Sequence, residues 1–179
     1  HRDKDKRKKS YKLEVEMTDN QIAFIICTNN ALFYNECVRY IGDLKVPEGY
    51  SVDILCIQDA ESMTQGYNAG MQASDAKYKV YLHHDTFIMN KNFLYDMLGI
   101  FEKDAEIGMI GVIGTNRLPA DAKCYTGWTV GNIDAYNGWT TIEGECFQKE
   151  ERAYIEVDAI DGLLMATQYD VPWREDFLD

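Results

Sequence analysis

The chain has 179 residues, of which 46% are hydrophobic and 12% aromatic, a composition typical of one globular domain and not of a disordered segment. Its formal net charge is −12, but residues 1–12 carry seven Lys and Arg against two Asp, a net +5 that leaves −17 for the rest. So acidic a body excludes a general nucleic-acid-binding protein, because phosphate contacts need clustered Lys and Arg.

The basic leader, residues 1–20, is predicted to be solvated and flexible, with peripheral contact to anionic lipid or polymer as the alternative. The five cysteines contain no C-x-x-C pair, so neither a zinc site nor a disulfide framework is indicated. A reducing cytoplasm fits this cysteine usage. No signal peptide is visible, and no apolar run approaches the ~20 residues that a membrane span needs.

Apolar runs and helical periodicities alternate over the first two thirds of the chain. The runs at 22–27, 50–57, 78–82 and 107–114 are predicted strands, of which the first two are expected to be buried on both faces. Helices are predicted between the strands. Their caps and repeating apolar positions are Asn29 or Asn30 with Phe33, Cys37, Tyr40 and Leu44; Ser62 with Met63, Tyr67 and Met71; and Asn90 with Leu94, Met97, Leu98 and Phe101.

This order of strands and helices predicts an α/β fold with a mostly parallel sheet and helices on both faces. From about residue 115 the alternation stops. "GWTV" (127–130) and "GWTT" (138–141) look like neighbouring hairpin arms, and 153–167 returns to a strand pattern interrupted by Asp158, Asp161 and Gly162. No linker marks a second domain, so residues 21–179 are predicted to form one domain.

Polar clusters follow three of the predicted strands: Thr28-Asn29-Asn30, Gln58-Asp59 and His83-His84-Asp85, the last holding two of the chain's three histidines. Polar loops alone would explain any one cluster. In open parallel sheets, however, ligands bind beyond the carboxyl ends of the strands. Three clusters along one edge therefore favour a binding site.

Four segments of the chain read "IAFIICTNN", "VDILCIQDAES", "GYNAGMQASDAKYKVYLHHD" and "DGLLMATQYDVPWRED". In this order they resemble the family 2 glycosyltransferases of the GT-A fold, most closely the bacterial glycosyltransferase-like branch whose metal motif reads His-x-Asp. The resemblance covers roughly residues 22–118 and 153–176.

The resemblance implies a metal-dependent, inverting hexosyltransferase of bacterial polysaccharide or glycoprotein biosynthesis. It would move a sugar from a nucleoside-diphosphate donor, expected to be UDP-linked, to a glycan, lipid-linked saccharide or protein. The donor-binding residues that it implies are Thr28, Asn29, Asp59, Asn68, His84 and Asp161. For Asp161, turn chemistry around Gly162 is an equal alternative.

The metal motif departs from the D-x-D pattern of the family, because His83 occupies the position of the first acid. Asp85 is expected to contact Mn²⁺ or Mg²⁺ between the donor's phosphates, and imidazole suits Mn²⁺ better than Mg²⁺. His83 is the second candidate ligand. Three roles stay open for His83 and His84: ligating the metal, bonding a phosphate, or orienting Asp85.

The catalytic candidates are Glu175 and Asp176, because the family uses a carboxylate to take the proton of the acceptor hydroxyl. Alternatively they match an upstream acidic turn and the base lies beyond residue 179, with the acceptor side of the domain cut short. Two other functions stay open. One is a noncatalytic nucleotide-sugar or glycan-binding module, and the weaker one is a metal-dependent phosphoesterase built on residues 83–85.

Overall fold

The structure is a computed structural model, and it describes residues 18–118, 120, 130–131, 133, 135–136, 141–142 and 154–176. Residues 1–17 of the basic leader lie outside the described residues, as do most of the two predicted hairpin arms. The first strand begins at Thr18, three residues before the predicted start of the domain.

The predicted alternation of strands and helices is confirmed. The helices are α1 (Ala31–Gly42), α2 (Met63–Gln72) and α3 (Phe93–Phe101). The longer strands are β1 (Thr18–Cys27), β2 (Ser51–Ile57) and β3 (Ala76–His83). The shorter ones are β4 (Met109–Gly111), β5 (Ile113–Thr115), β6 (Val130–Gly131), β7 (Ala135–Tyr136), β8 (Thr141–Ile142), β9 (Ala159–Ile160) and β10 (Leu164–Thr167).

The central sheet has the strand order β2-β1-β3-β10-β4. Strand β1 pairs in parallel with both β2 and β3, whereas β10 runs antiparallel to β3 and to β4. A smaller sheet joins β6, β5 and β9, and β7 pairs with β8. The α/β class and the mainly parallel sheet are confirmed, with β10 as the strand that makes the sheet mixed.

Helices cover both faces of this sheet, as predicted. Alternate side chains of β1 point to opposite faces. Phe24 packs in the larger core with residues of α1 and α3, whereas Ile25 packs in a smaller core with Tyr67 and Met71 of α2 and with Tyr81 of β3. The two cores fix α1 and α3 on one side and α2 on the other.

Two glycines let α2 approach β1 closely. A Cβ atom on Gly66 would overlap the Sγ atom of Cys27, and one on Gly70 would overlap the Cγ2 atom of Ile25. Any larger residue would push the helix away from the strand. The "GYNAG" segment thus sets the distance between α2 and the sheet.

Three details differ from the sequence-based expectations. Strand β2 is an edge strand with no fully buried residue, because nothing pairs with its outer side among the described residues. The segment 107–114 bends at Val112 and splits into β4 and β5, which join different sheets. The N-cap position of α3 is Asn92, whose side chain makes no capping hydrogen bond, and the Asn90 side chain instead accepts a hydrogen bond from the Asn92 N–H (3.0 Å).

The four predicted apolar positions of α3 are its buried residues. In α2, Tyr67 and Met71 are buried as expected, whereas Met63 is 40% exposed because it stands at the first turn. None of the helices in the described part of the chain has the length and apolar character that a membrane crossing requires.

Candidate functional site

The carboxyl ends of β1, β2 and β3 open into one cleft with a volume of about 710 Å³. Residues 27–29, 31, 57–63 and 83–85 line it. The structure therefore brings together six of the residues predicted from the sequence. They are Thr28, Asn29, Asp59, His83, His84 and Asp85.

Two helices begin at this cleft. The Oδ1 atom of Asn30 accepts hydrogen bonds from the N–H groups of Leu32 (3.0 Å) and Phe33 (3.3 Å) at the start of α1. The Oγ atom of Ser62 accepts from the Gln65 N–H (3.1 Å) at the start of α2. Helix N-termini carry partial positive charge and favour anions. Both helix starts can thus support an anionic ligand.

The side chains of the cleft have the opposite charge. Asp59, Glu61 and Asp85 line it, and no Lys or Arg occurs among the described residues that do so. Carboxylates repel a phosphate group at close range unless a cation lies between them. An anionic ligand at this position therefore needs a counter-ion.

Asp59 has an unusual backbone, with φ of 58° in the left-handed region. Few residues other than glycine adopt this conformation, although Asp and Asn are enriched there. The residue is exposed and directly follows Gln58 at the end of β2. Such backbone conformations are common where a site requires a side chain to be held in one direction.

The two histidines have different surroundings. The ring of His84 stacks on Phe33 of α1, with 5.8 Å between centroids and 14° between planes. The Nε2 atom of His83 lies 3.9 Å from the place where a Cβ on Gly162 would be, so its ring tip faces the turn after β9. The backbone of His83 is fixed there by its N–H, which donates to the Leu163 carbonyl (3.2 Å).

Asp85 is exposed at the rim of the cleft near α1. Burial, and then the charge of Asp85, raise the pKa of the Cys37 thiol to about 12. The Cys27 thiol lines the cleft, and burial followed by the proximity of Cys56 raises its pKa to about 11. Both thiols are therefore protonated at neutral pH, and neither is an activated nucleophile.

Asp161 makes the turn that was the alternative to a donor contact. Its Oδ1 atom accepts from the Leu163 N–H (2.9 Å), and its own N–H donates to the Ile113 carbonyl (2.9 Å). The residue does not line the cleft, although the turn that it closes faces His83. The turn chemistry is present, and the donor contact stays a prediction.

A metal ion would find few protein ligands here. Among the described residues, no group of three or more His, Cys, Asp and Glu side chains is arranged to hold a metal. Asp85 and His83 can offer one oxygen and one nitrogen. A divalent ion bound here would therefore have to take most of its ligands from a bound phosphate compound and water.

Glu175 and Asp176 lie on a segment that follows β10, which we call the strap, residues 170–176. Neither lines the cleft. Asp176 is held by Arg174, whose Nε and Nη2 atoms each donate to one carboxylate oxygen at 2.7 Å. This pairing lowers the pKa of Asp176.

The strap is fastened to α2 and β3 by side chains. Asn68 donates to the Trp173 carbonyl (3.0 Å) and to Oε1 of Glu175 (2.6 Å), and its Oδ1 accepts from the Trp173 N–H (2.8 Å). The Trp173 ring packs against Tyr67 and Tyr81, at centroid distances of 5.4 and 4.9 Å. The predicted donor residue Asn68 is thus joined to the strap and does not line the cleft.

Sequence reasoning missed two features. One is the buried Lys79, whose Nζ lies 2.7 Å from Oδ1 of Asp170 at the start of the strap and 2.6 Å from the Ala76 carbonyl. The sequence feature that could have indicated this pair is a lysine inside the apolar run "YKVYL". The other is Glu61, a third cleft carboxylate, which stands in the quoted segment "QDAES" just after β2.

Comparison with known proteins gives one finding on the family. A family model described as "Glycosyltransferase like family" matches residues 23–179, which is most of the chain and includes the cleft and the strap. A search of curated proteins gave no match.

Proposed function

Because the chain belongs to the glycosyltransferase-like family, we propose that it is a metal-dependent, inverting hexosyltransferase with a UDP-linked donor. Family membership supports a glycosyltransferase, and the mixed α/β sheet with helices on both faces is consistent with a GT-A-like fold. Such a family implies a nucleotide-sugar donor and a glycan acceptor, and lipid-linked saccharides and proteins are the further acceptors of the proposal.

The charge of the cleft is the observation that carries this proposal. Asp59, Glu61 and Asp85 would repel a nucleoside diphosphate, yet two helix N-termini at the same cleft favour phosphate. A divalent cation reconciles the two, because it neutralises the carboxylates and the phosphates together. The cleft therefore suits a metal–diphosphate complex better than either component alone.

The proposed roles are those that the family resemblance implies, and the position of these residues in the cleft is compatible with them. Thr28, Asn29 and Asp59 at the ends of β1 and β2 would contact the base and ribose. Asp85 and His83 at the end of β3 would hold Mn²⁺ or Mg²⁺. When bound, the metal would offset the charge that develops on the leaving diphosphate. His84, stacked on Phe33, would border the same donor.

The acceptor needs a base, and we assign that role to the pair Glu175–Asp176. The acceptor oxygen attacks the anomeric carbon on the face opposite the diphosphate, its proton passes to the carboxylate, and the bond to the UDP oxygen breaks. Arg174 holds both oxygens of Asp176 and lowers its pKa, which weakens it as a base. In Glu175, Oε1 accepts a hydrogen bond from Asn68, and Oε2 takes no part in that bond.

Metal-linked donor binding tests the proposal. We expect calorimetry to show UDP binding to the parent chain in Mn²⁺ and weak binding in EDTA. Asp85→Ala should lose the Mn²⁺-dependent part and unfold at the parent temperature, because the side chain is exposed. The control is Glu48→Ala, an exposed carboxylate in the turn before β2. Unchanged UDP affinity in Asp85→Ala would remove this residue from the metal site.

A noncatalytic binding module is the second candidate, because neither Glu175 nor Asp176 lines the cleft. Sugar transfer and donor hydrolysis separate the two functions. Turnover that is lost in Glu175→Gln or in Asp176→Asn supports the enzyme and identifies the base. UDP binding without any turnover supports the module. The phosphoesterase is disfavoured, because the described residues supply no cluster for a dinuclear metal site.

A further inference from the structure

The strap is attached to the body of the protein by side chains. Among the described residues 170–176, none belongs to a strand, so no ladder of backbone hydrogen bonds fixes the segment. Its attachments are Asp170 on Lys79, the Trp173 ring on Tyr67 and Tyr81, and the bonds to Asn68. Of these anchors, Asn68 is the one that bonds the side chain of Glu175 directly.

The amide of Asn68 is fully engaged as a donor. Its two N–H groups meet the Trp173 carbonyl and the Glu175 carboxylate, and its oxygen receives the Trp173 N–H. This pattern fixes the orientation of the amide, because a flipped amide would place its NH₂ against the Trp173 N–H. The side chain thus pairs with the backbone of Trp173 much as a neighbouring strand would.

The position of Asn68 argues against direct contact with the donor. The residue is 8% exposed and lies six residues after the cap Ser62, which lines the cleft. Six residues of helix span about 9 Å. With both donors engaged, Asn68 has little to offer a ligand in the cleft.

We propose that Asn68 is a positioning residue, which holds the strap on α2 and thereby sets the place of the Glu175 carboxylate for sugar transfer. The inference rests on the proposed function. It assigns to Asn68 an effect on turnover through Glu175 and none on the affinity for the donor. Asparagine suits this role because one short side chain carries both a donor and an acceptor.

Trypsin tests the attachment without any assay of activity. Arg174 lies in the strap, and cleavage after it requires the strap to leave α2. Loss of the three hydrogen bonds of the Asn68 side chain in Asn68→Ala should raise the rate of this cleavage by at least about 10-fold. Asn68→Asp keeps the volume and the acceptor but places two carboxylates together, so it should act in the same direction. Cleavage after Arg39 in α1 should keep its rate.

Kinetics test the effect on transfer. Asn68→Ala and Asn68→Asp should lower kcat about 10-fold or more, with the KM for the UDP-sugar and the Kd for UDP unchanged. In a Glu175→Ala background, Asn68→Ala should lower kcat no further, because residues that act as a unit are not additive. The control is Gln72→Ala, an exposed amide one turn along α2, which should leave every value unchanged.

Two results would overturn the inference. One is an unchanged rate of cleavage after Arg174 in both variants. The other is a rise in the Kd for UDP with kcat unchanged, which would make Asn68 a donor contact. Failure of the parent chain to transfer sugar overturns the proposed function and the kinetic half of the inference with it. The trypsin experiment then decides by itself whether Asn68 holds the strap.

Discussion

The cleft and the strap use their polar side chains in opposite ways. In the cleft the bonds of Thr28 and Ser62 are local: Thr28 Oγ1 accepts from the Asn30 N–H, and Ser62 Oγ accepts from the Gln65 N–H, both at 3.1 Å. In the strap the side-chain bonds to Asn68 and Lys79 join residues 91 to 107 positions apart. Local bonds shape a turn and leave other polar atoms facing solvent. Long-range bonds instead hold distant segments of the chain together.

This difference predicts how the two regions respond to substitution. A cleft residue such as Asp85 is exposed and contributes little to the stability of the fold. Its loss should therefore affect ligand binding and leave stability unchanged. A strap anchor joins distant segments, so its loss should lower the free energy of unfolding. Stability and UDP binding, measured on the same variants, separate the two responses.

The largest effect is expected at the Lys79–Asp170 pair. Lys79 has a side chain with 0% exposure, and its charge is compensated by Asp170, which is 38% exposed. Asp170→Ala leaves a buried cation with the Ala76 carbonyl alone, which should cost about 3 kcal/mol in urea unfolding. Lys79→Met removes the cation, and Asp170 can then hydrate, so this variant should lie within about 1 kcal/mol of the parent.

The contrast between these two variants isolates charge from packing. Equal losses for Asp170→Ala and Lys79→Met would mean that the strap depends on the shape of the contact and not on the ion pair. UDP binding in Mn²⁺ should be the same in both variants and in the parent. A fall in UDP affinity would break the separation between strap and cleft.

A smaller effect is expected where α2 meets β1. A Cβ on Gly70 would overlap the side chain of Ile25, so Gly70→Ala should destabilise the protein by about 2 kcal/mol. Gly99 lies inside α3 with nothing within 4 Å of the same position. Gly99→Ala should therefore stabilise by about 0.5–1 kcal/mol, since alanine restricts the unfolded chain. Thermal unfolding of both variants measures the two opposite signs.

Equal shifts of one sign at Gly70 and Gly99 would contradict close packing as the cause. Because α2 carries both Ser62 at the cleft and Asn68 under the strap, a displaced helix should disturb both regions. Gly70→Ala should therefore weaken UDP binding and also speed cleavage after Arg174.

The sequence predicted the cleft because its geometry follows from local patterns. Strand ends can be located from apolar runs, and parallel strands bring their carboxyl ends to one edge. That logic correctly placed Thr28, Asp59 and Asp85 around one opening. It failed for the burial of β2 and for the split of 107–114, because edge position and a change of sheet depend on pairing between distant segments.

The contacts of the strap could not be predicted in this way. Nothing in "VPWRED" shows that its tryptophan packs on two tyrosines of α2 and β3, or that its glutamate bonds Asn68. The family resemblance suggested a donor contact for Asn68, yet its hydrogen bonds lead to the strap. Side-chain partners about a hundred residues apart leave no periodicity to detect.

The sharpest test of the cleft is expected at Asp59, where the effect is on binding alone. Asp59→Asn keeps an acceptor oxygen and a residue that tolerates the left-handed backbone, so stability should not change. Loss of the charge should weaken UDP binding in Mn²⁺ by about 1 kcal/mol, roughly fivefold in Kd. Asp59→Gly is the matched variant: glycine suits φ of 58° without strain, so it should be at least as stable while losing the acceptor and binding more weakly still. Equal UDP affinity in all three proteins would show that Asp59 serves the turn after β2 and not the donor. A loss of stability in Asp59→Asn without a loss of binding would place this residue with the strap anchors, and the division between the two regions would no longer hold.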